Sequence, residues 1–97
     1  RSVAAAIATG NAVIVKSAED TPLTTHAIAE WFANKVPKGI FQHITGLGRE
    51  VGLYLTSHPD INHFTFTGSV PTGIAVMKTA AENVVPVTLE LGGKSPN

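Results

Sequence analysis

Residues 64–73, FTFTGSVPTG, contain the transition that decides the fold. Aromatic and β-branched residues typical of a strand lead into a turn at Gly68-Ser69, and a helical pattern begins after that turn. A strand, a short turn and a helix in this order form the unit from which parallel α/β sheets are built. The segment therefore predicts a fold of that class.

The same junction also indicates a place for an anion. Gly68 allows close approach of the backbone, Ser69 can cap the helix or donate its hydroxyl, and the free N–H groups of the first helical turn attract negative charge. The segment lacks the G-x-G-x-x-G pattern of the usual dinucleotide site. An ordinary strand-to-helix turn therefore remains an equally open interpretation at this point.

The alternation of strands and helices extends over the whole chain. Gly10 and Asn11 end a first helical stretch, and the pair Thr21-Pro22 is typical of a helix start. The resulting pattern predicts a Rossmann-like parallel sheet of about four strands with helices on both faces. The predicted strands are residues 12–15, 40–44, 61–66 and 84–91, the last with Pro86 near its start, and a short helix is predicted over 49–57.

Apolar residues at intervals of three and four predict which side of each helix packs on the sheet. Val51 and Leu55, with Tyr54 beside them, are expected to face inward from the short helix. The other predicted packing faces are Leu23, Ala27, Ile28, Trp31 and Phe32 in one helix, and Val70, Ile74, Met77 and Ala81 in another.

Composition excludes several classes of function. The chain of 97 residues has the length of one domain, and seven basic residues balance seven acidic ones, so nothing favours nucleic acid as a partner. No apolar run is long enough for a membrane span, which predicts a soluble, cytoplasmic protein. The absence of cysteine excludes disulfides and a cysteine nucleophile within these residues, and four histidines on separate elements predict no metal site.

Two positions carry charges where ligands of open α/β sheets bind. Lys16 and Glu19 come just after the first strand, where a carboxylate can accept hydrogen bonds from ribose hydroxyls and a lysine can donate one. By spacing alone, an exposed ion pair in a solvated loop is the better interpretation. Glu90 stands at the end of the last strand beside two glycines. Burial there would raise its pKa and make it a plausible general base, whereas a carboxylate that points to water is the simpler alternative.

Three motifs in register resemble the aldehyde dehydrogenase superfamily. They are ATGN leading into VIVK at residues 8–16, FTGS at 66–69, and LELGGKSPN at 89–97. The resemblance covers the whole chain and implies oxidation of an aldehyde to a carboxylic acid with NAD(P), through a cysteine thiohemiacetal and a thioester. It implies that Lys16 and Glu19 hold the adenosine ribose, that Gly46 lies near the adenine pocket, and that Glu90 is the general base.

The resemblance also implies a path for the rest of the cofactor. Gly68 and Ser69, opening the helix that passes through Gly73, would lie against the pyrophosphate, and Leu91 and Gly92 would approach the nicotinamide. NAD is expected rather than NADP, because Glu19 accepts from a 2′-hydroxyl and repels a 2′-phosphate. Lys16 offsets part of that repulsion, which keeps NADP as the alternative cofactor.

The resemblance also implies which parts of the family's proteins are expected outside these residues. The family's nucleophilic cysteine would lie beyond Asn97, its oxyanion-stabilising asparagine before Arg1, and the strands of its homo-oligomer elsewhere. Residues 1–97 are therefore expected to be part of an NAD(P)-binding domain, without the catalytic and oligomerisation regions. Many relatives have proline where this chain has Ser17.

Two other interpretations stay open at the level of sequence. The chain could belong to a dinucleotide-binding or structural module without catalysis, whereas a cysteine downstream of Asn97 in a glycine-flanked loop would support the enzyme. A reductase of activated acyl phosphates on a related fold would need that cysteine too, but would be expected to lack the motif around Glu90.

Overall fold

The computed structural model describes residues 2–93, which lie in two compact units, Arg1–Gly52 and Leu53–Asn97. Arg1 and the last four residues of the motif at 89–97 lie outside the described residues. No helix in the part of the chain that the structure describes is long and apolar enough to cross a membrane.

The first unit contains two strands that pair in parallel. Its elements are α1 (Ser2–Ala8), β1 (Val13–Lys16), α2 (Pro22–Ala33), β2 (Phe41–Ile44) and a π-helical turn (Gly48–Gly52). The register runs from Val13 opposite Phe41 to Lys16 opposite Ile44. Both strands therefore end at the same edge, and the loop after β1 lies beside the loop after β2.

The second unit repeats the parallel pairing. Its elements are α3 (Leu53–Thr56), β3 (Phe64–Gly68), α4 (Val70–Ala81) and β4 (Val87–Leu91). β3 pairs with β4 from Phe64 opposite Val87 to Gly68 opposite Leu91, and α4 packs on both strands. The predicted α/β class and parallel strands are confirmed. The four strands pair two by two, since each is hydrogen-bonded to a partner in its own unit.

The end of α1 shows why the chain turns where the sequence predicts. The N–H of Gly10 donates to Ile7 at 3.0 Å, and the N–H of Asn11 donates to Ala6 at 2.9 Å. This pair of bonds is the Schellman arrangement, which requires a positive φ at its penultimate residue. Gly10 supplies it with φ 86°, a value that costs glycine little.

The end of α4 has the same arrangement with a less suitable residue. Val84 donates to Ala81 at 3.1 Å and Val85 donates to Ala80 at 3.0 Å. The residue with positive φ is Val84, at 56°, although a β-branched side chain is disfavoured in that region. The predicted strand over 84–91 therefore begins only at Val87, because this turn and Pro86 occupy its first residues.

The predicted packing faces of α2 and α4 are partly wrong. In α4 the buried residues are Gly73, Val76 and Ala80, whereas Ile74 and Met77 are about half exposed. Small residues on this side let the helix approach the strands closely, which a face of larger side chains would prevent. The predicted α4 residues that lie outside the buried face are Val70, Ile74, Met77 and Ala81.

In α2 the inward side includes the predicted Phe32 together with Thr25 and Ala29, which were not predicted. Thr25, Ala29 and Phe32 are half-buried, and the Phe32 ring stacks on Phe41 with centroids 5.1 Å apart. Leu23 and Trp31 point outward, being 80% and 60% exposed. Ala27 is also exposed, whereas Ile28 and Phe32 line an apolar groove of about 570 Å³ with α1 and both strands.

The short helix is mostly as predicted. Val51 and Leu55 are half-buried, whereas the Tyr54 side chain is 66% exposed and packs its ring against His58. The buried side chain of α3 is Thr56, whose hydroxyl donates to the Leu53 carbonyl at 3.0 Å. That bond satisfies the hydroxyl and lets a polar residue take the inward position.

Candidate functional site

The loop after β1 brings together two of the residues singled out in the sequence. The Lys16 ammonium lies 3.3 Å from the Glu19 Oε2 atom, and the backbone N–H of Gly48 donates to Glu19 Oε1 at 3.3 Å. Gly48 opens the π-helical turn after β2, so the contact joins the two loops at one sheet edge. Spacing predicted the ion pair but not the contribution of Gly48.

These contacts set the charge state of Glu19. The pKa of its carboxyl is lowered, first by a hydrogen bond from its own backbone N–H, then by the bond from Gly48, and then by Lys16. The carboxylate is therefore ionised at neutral pH. Its side chain is 48% exposed, so its remaining lone pairs are open to solvent or a ligand.

Gly46 lies in the loop between β2 and the π-helical turn. Its φ is 143°, and the Val51 side chain fills the space that a Cβ atom would need. Both observations explain why glycine is required here for the course of the chain. Gly46 comes two residues before Gly48, whose N–H donates to Glu19.

The turn between β3 and α4 is capped by its own side chains. Ser69 precedes the helix in extended conformation, and its hydroxyl accepts a hydrogen bond from the Thr72 N–H at 3.4 Å. The two side-chain hydroxyls lie 2.9 Å apart. Pro71 stands in the first turn and carries no N–H, so the turn has fewer free donors than an unsubstituted helix start.

The glycines around this turn come together with Leu91. Gly68 is opposite Leu91 in the sheet, and the N–H of Gly92 donates to the Gly68 carbonyl at 3.3 Å. A Cβ atom on Gly73 would lie 2.6 Å from Leu91 Cδ2, so the bare helix surface receives the leucine side chain. The structure thus gives Gly73 and Leu91 a packing role that spacing did not reveal.

Glu90 lies on the open face of the β3–β4 pair. Burial alternates along both strands, with Phe64, Phe66, Leu89 and Leu91 facing the helix side. Glu90 is exposed and lies opposite Thr67 in the register. The carboxylate that points to solvent, one of the two alternatives from sequence, is what the described residues show. The other polar side chains on this face are His63, Thr65 and Thr88, and His63 Nε2 lies 3.0 Å from Thr88 Oγ1.

Two residues near the loop after β1 were not singled out as site residues. Ser17 is 7% exposed, and its hydroxyl lies 3.0 Å from His43 Nε2. His43 is separated from Ser17 by 26 positions, so no local spacing could connect them. Within residues 2–93 no group of three or more histidine, aspartate or glutamate side chains is arranged to hold a metal ion.

The model of the aldehyde dehydrogenase family matches residues 1–97. The chain belongs to the aldehyde dehydrogenase family. A long-chain-aldehyde dehydrogenase of an Acinetobacter species is 46% identical over 95 residues, a match that covers 98% of this chain and 19% of the relative.

Solved structures of the family agree with the fold. Aldehyde dehydrogenase C of Pseudomonas syringae, in a variant crystallised with NAD+ and octanal, is 44% identical with a TM-score of 0.94, over 98% of this chain and 20% of that one. A variant of betaine aldehyde dehydrogenase of Staphylococcus aureus, in complex with NAD+, is 44% identical with a TM-score of 0.93. The match covers 98% of this chain and 19% of that one. The chain thus spans about a fifth of the length of the aldehyde dehydrogenases it matches.

Proposed function

We propose that the whole protein oxidises an aldehyde to a carboxylic acid with NAD, and that these residues supply part of the cofactor site and the general base. The observation that supports this most is the match of the family model to all 97 residues. The nucleophilic cysteine, which would form the thiohemiacetal and the thioester, is expected outside this chain, since the chain contains no cysteine.

The loop after β1 suits the adenosine ribose of the cofactor. An ionised, half-exposed Glu19 can accept hydrogen bonds from vicinal hydroxyls, and Lys16 stays beside it as a donor. The Gly48 N–H keeps the carboxylate in place before the ligand arrives, which reduces the ordering cost of binding. Because a 2′-phosphate would meet this carboxylate, NAD is favoured over NADP.

The turn at Ser69 suits the pyrophosphate. The start of this helix carries partial positive charge, which favours a phosphate at this turn. Ser69 and Thr72 present hydroxyls that can donate to phosphate oxygens when the cofactor is bound. Gly73 and Leu91 hold the helix and β4 together beneath this turn.

Glu90 would act as the general base. When bound, the nicotinamide supplies the acceptor for the hydride that leaves the substrate carbon. Glu90 would take a proton either from the cysteine thiol or from the water that hydrolyses the thioester. Its exposed position on the open face of β4 leaves the carboxylate accessible to these groups.

The test of this function replaces Glu90 in the whole protein. Glu90→Gln keeps the shape of the side chain but removes the proton acceptor, so kcat should fall by about 10²- to 10⁴-fold while the Kd for NAD stays near normal. Glu82→Gln, at the exposed end of α4, is the matched control and should leave both constants unchanged. If Glu90→Gln and Glu82→Gln have the same kcat, Glu90 is not the general base. A whole protein that binds NAD but oxidises no aldehyde would favour a module without catalysis.

A further inference from the structure

Just after β1, the buried Ser17 contacts a side chain of β2 that the proposed function does not use. Ser17 is 7% exposed, and its hydroxyl meets His43 Nε2 at 3.0 Å. A buried hydroxyl without a partner is costly, so this bond is needed for Ser17 to be buried at all. His43 lies in β2 opposite Val15, which places the imidazole beside the end of β1.

All three polar groups of Ser17 make contacts within this unit. Its N–H donates to the Ile44 carbonyl at 3.4 Å, its hydroxyl meets His43, and its carbonyl accepts from the Lys16 ammonium at 2.9 Å. The same ammonium reaches Glu19 at 3.3 Å. A continuous series of polar contacts therefore joins His43 to Glu19 through Ser17 and Lys16.

Ser17 lies where β1 passes into the loop, so the conformation of its peptide affects the positions of the residues that follow. Lys16 ends β1, and Glu19 comes two residues after Ser17. Without the bond to His43, the Ser17 peptide keeps its long backbone bond to Ile44 and the bond from Lys16, whose side chain is itself flexible. Rotation of that peptide would move the carbonyl that holds Lys16, and with it the charge beside Glu19.

We propose that Ser17 and His43 form a positioning pair, which fixes the Ser17 carbonyl so that Lys16 and Glu19 are held ready for the cofactor ribose. The proposal rests on the proposed function, because it assumes that Glu19 binds that ribose. Neither Ser17 nor His43 touches the ligand in this scheme. The pair restricts the conformations of Lys16 and Glu19 before NAD binds, which lowers the entropy cost of binding.

The test measures NAD binding by the whole protein. Ser17→Ala and His43→Leu each remove the bond and should raise the Kd and KM for NAD about three- to tenfold, the range that one neutral hydrogen bond spans, with kcat unchanged. The double variant should bind no more weakly than the single variants, since both remove the same bond. Ser17→Thr keeps the hydroxyl and should bind NAD within about twofold of the original protein.

Thr56→Val is the matched control for stability. Thr56 is the other buried polar residue found among the described residues, at 6% exposure, and its hydroxyl bonds only within α3. This variant should lose stability as Ser17→Ala does, yet keep its Kd for NAD. A similar rise in Kd would show that loss of stability explains both results and would overturn the positioning role.

A parallel variant separates failure of this proposal from failure of the proposed function. Glu19→Gln should weaken NAD binding if Glu19 holds the ribose. If it does so while Ser17→Ala and His43→Leu bind normally, the positioning pair is refuted and the ribose site stands. If Glu19→Gln also binds normally, the ribose site itself is wrong. Additive losses in the double variant would likewise refute the pair.

Discussion

Two contacts hold the Glu19 carboxylate, and they come from different parts of the chain. The ion pair with Lys16 follows from a spacing of three residues, while the bond from Gly48 comes from a loop 29 positions away. Together they hold an ionised carboxylate in a half-exposed position. A residue held in this way can discriminate between a hydroxyl and a phosphate on the ribose.

Replacing Glu19 should therefore change the choice of cofactor. In the whole protein, Glu19→Gln removes the charge that repels a 2′-phosphate and weakens the acceptor for ribose hydroxyls. We expect the ratio of kcat/KM for NAD over NADP to fall by about tenfold, from weaker use of NAD together with better use of NADP. Steady-state kinetics with both cofactors measures this ratio.

Glu50→Gln is a suitable control for Glu19, because Glu50 is exposed on the same π-helical turn as Gly48 and its carboxylate lies 3.8 Å from the neighbouring Arg49 rather than beside Lys16. In Glu50→Gln the ratio of kcat/KM for NAD over NADP should stay at the value of the original protein. An unchanged ratio in Glu19→Gln would show that cofactor choice is set by other residues.

At the scale of elements, α4 offers a way to separate helix capping from anion binding. Ser69→Asn and Ser69→Asp both provide side-chain caps comparable to serine, so neither should change stability by more than about 1 kcal/mol. Aspartate, however, places a negative charge where the pyrophosphate is proposed to lie. We expect the Kd for NAD to rise about tenfold or more in Ser69→Asp and to change little in Ser69→Asn.

Titration calorimetry on the whole protein measures the Kd for NAD in both variants. Thermal unfolding of the same variants shows whether the helix cap is preserved. Similar NAD binding by the asparagine and aspartate variants would move the pyrophosphate away from this turn. Weak binding by both would show instead that the serine hydroxyl itself contacts the ligand.

The end of α4 should accept a stabilising substitution. Val84 adopts a positive φ of 56° and is 88% exposed, so it bears the cost of this conformation without gaining burial. Val84→Gly should stabilise the protein by up to about 1 kcal/mol, after the larger entropy loss of glycine on folding is subtracted. Val84→Ala, which retains a Cβ atom, should gain less. Denaturant unfolding compares the three proteins, and a less stable glycine variant would contradict the expected strain.

Element order was predictable from sequence, but the packing face of α4 was not. Strand composition, Gly10 and Thr21-Pro22 indicated where elements begin and end, because these signals act within a few residues. The inward face of α4 depends on how closely the helix approaches β3 and β4. Small residues such as Gly73 and Ala80 allow that approach, so a count of large apolar residues selected the wrong side.

In the candidate site, too, local contacts were predictable from sequence and long-range contacts were not. Lys16 with Glu19 and the Gly68-Ser69 turn were found because their partners are near in sequence. The Ser17–His43 bond was not, because it depends on the register of β1 against β2. Contacts between parallel strands always join residues far apart in the chain, and sequence spacing contains no record of them.

At the scale of the whole molecule, burial is low within the described residues. The buried hydrophobic residues among them are Val76 and Ala80, while Leu23, Trp31 and Met77 are more than half exposed. A chain that covers so little apolar surface gains little free energy on folding. We expect the isolated 97-residue chain to be marginally stable or to self-associate.

Analytical ultracentrifugation and thermal unfolding of the isolated chain test this expectation. Self-association should increase with concentration, and the unfolding transition should be broad. A monomer with a sharp transition independent of concentration would contradict it.

The two-residue alternation in β3 and β4 has a consequence for engineering. One face of the β3–β4 pair is half-buried and contains Phe64, Phe66 and Leu89. Thr65 and Thr88 lie on the exposed face, together with Glu90. Randomising the two threonines would leave the half-buried residues intact. A library at these positions can therefore vary the surroundings of Glu90 while most of its members still fold.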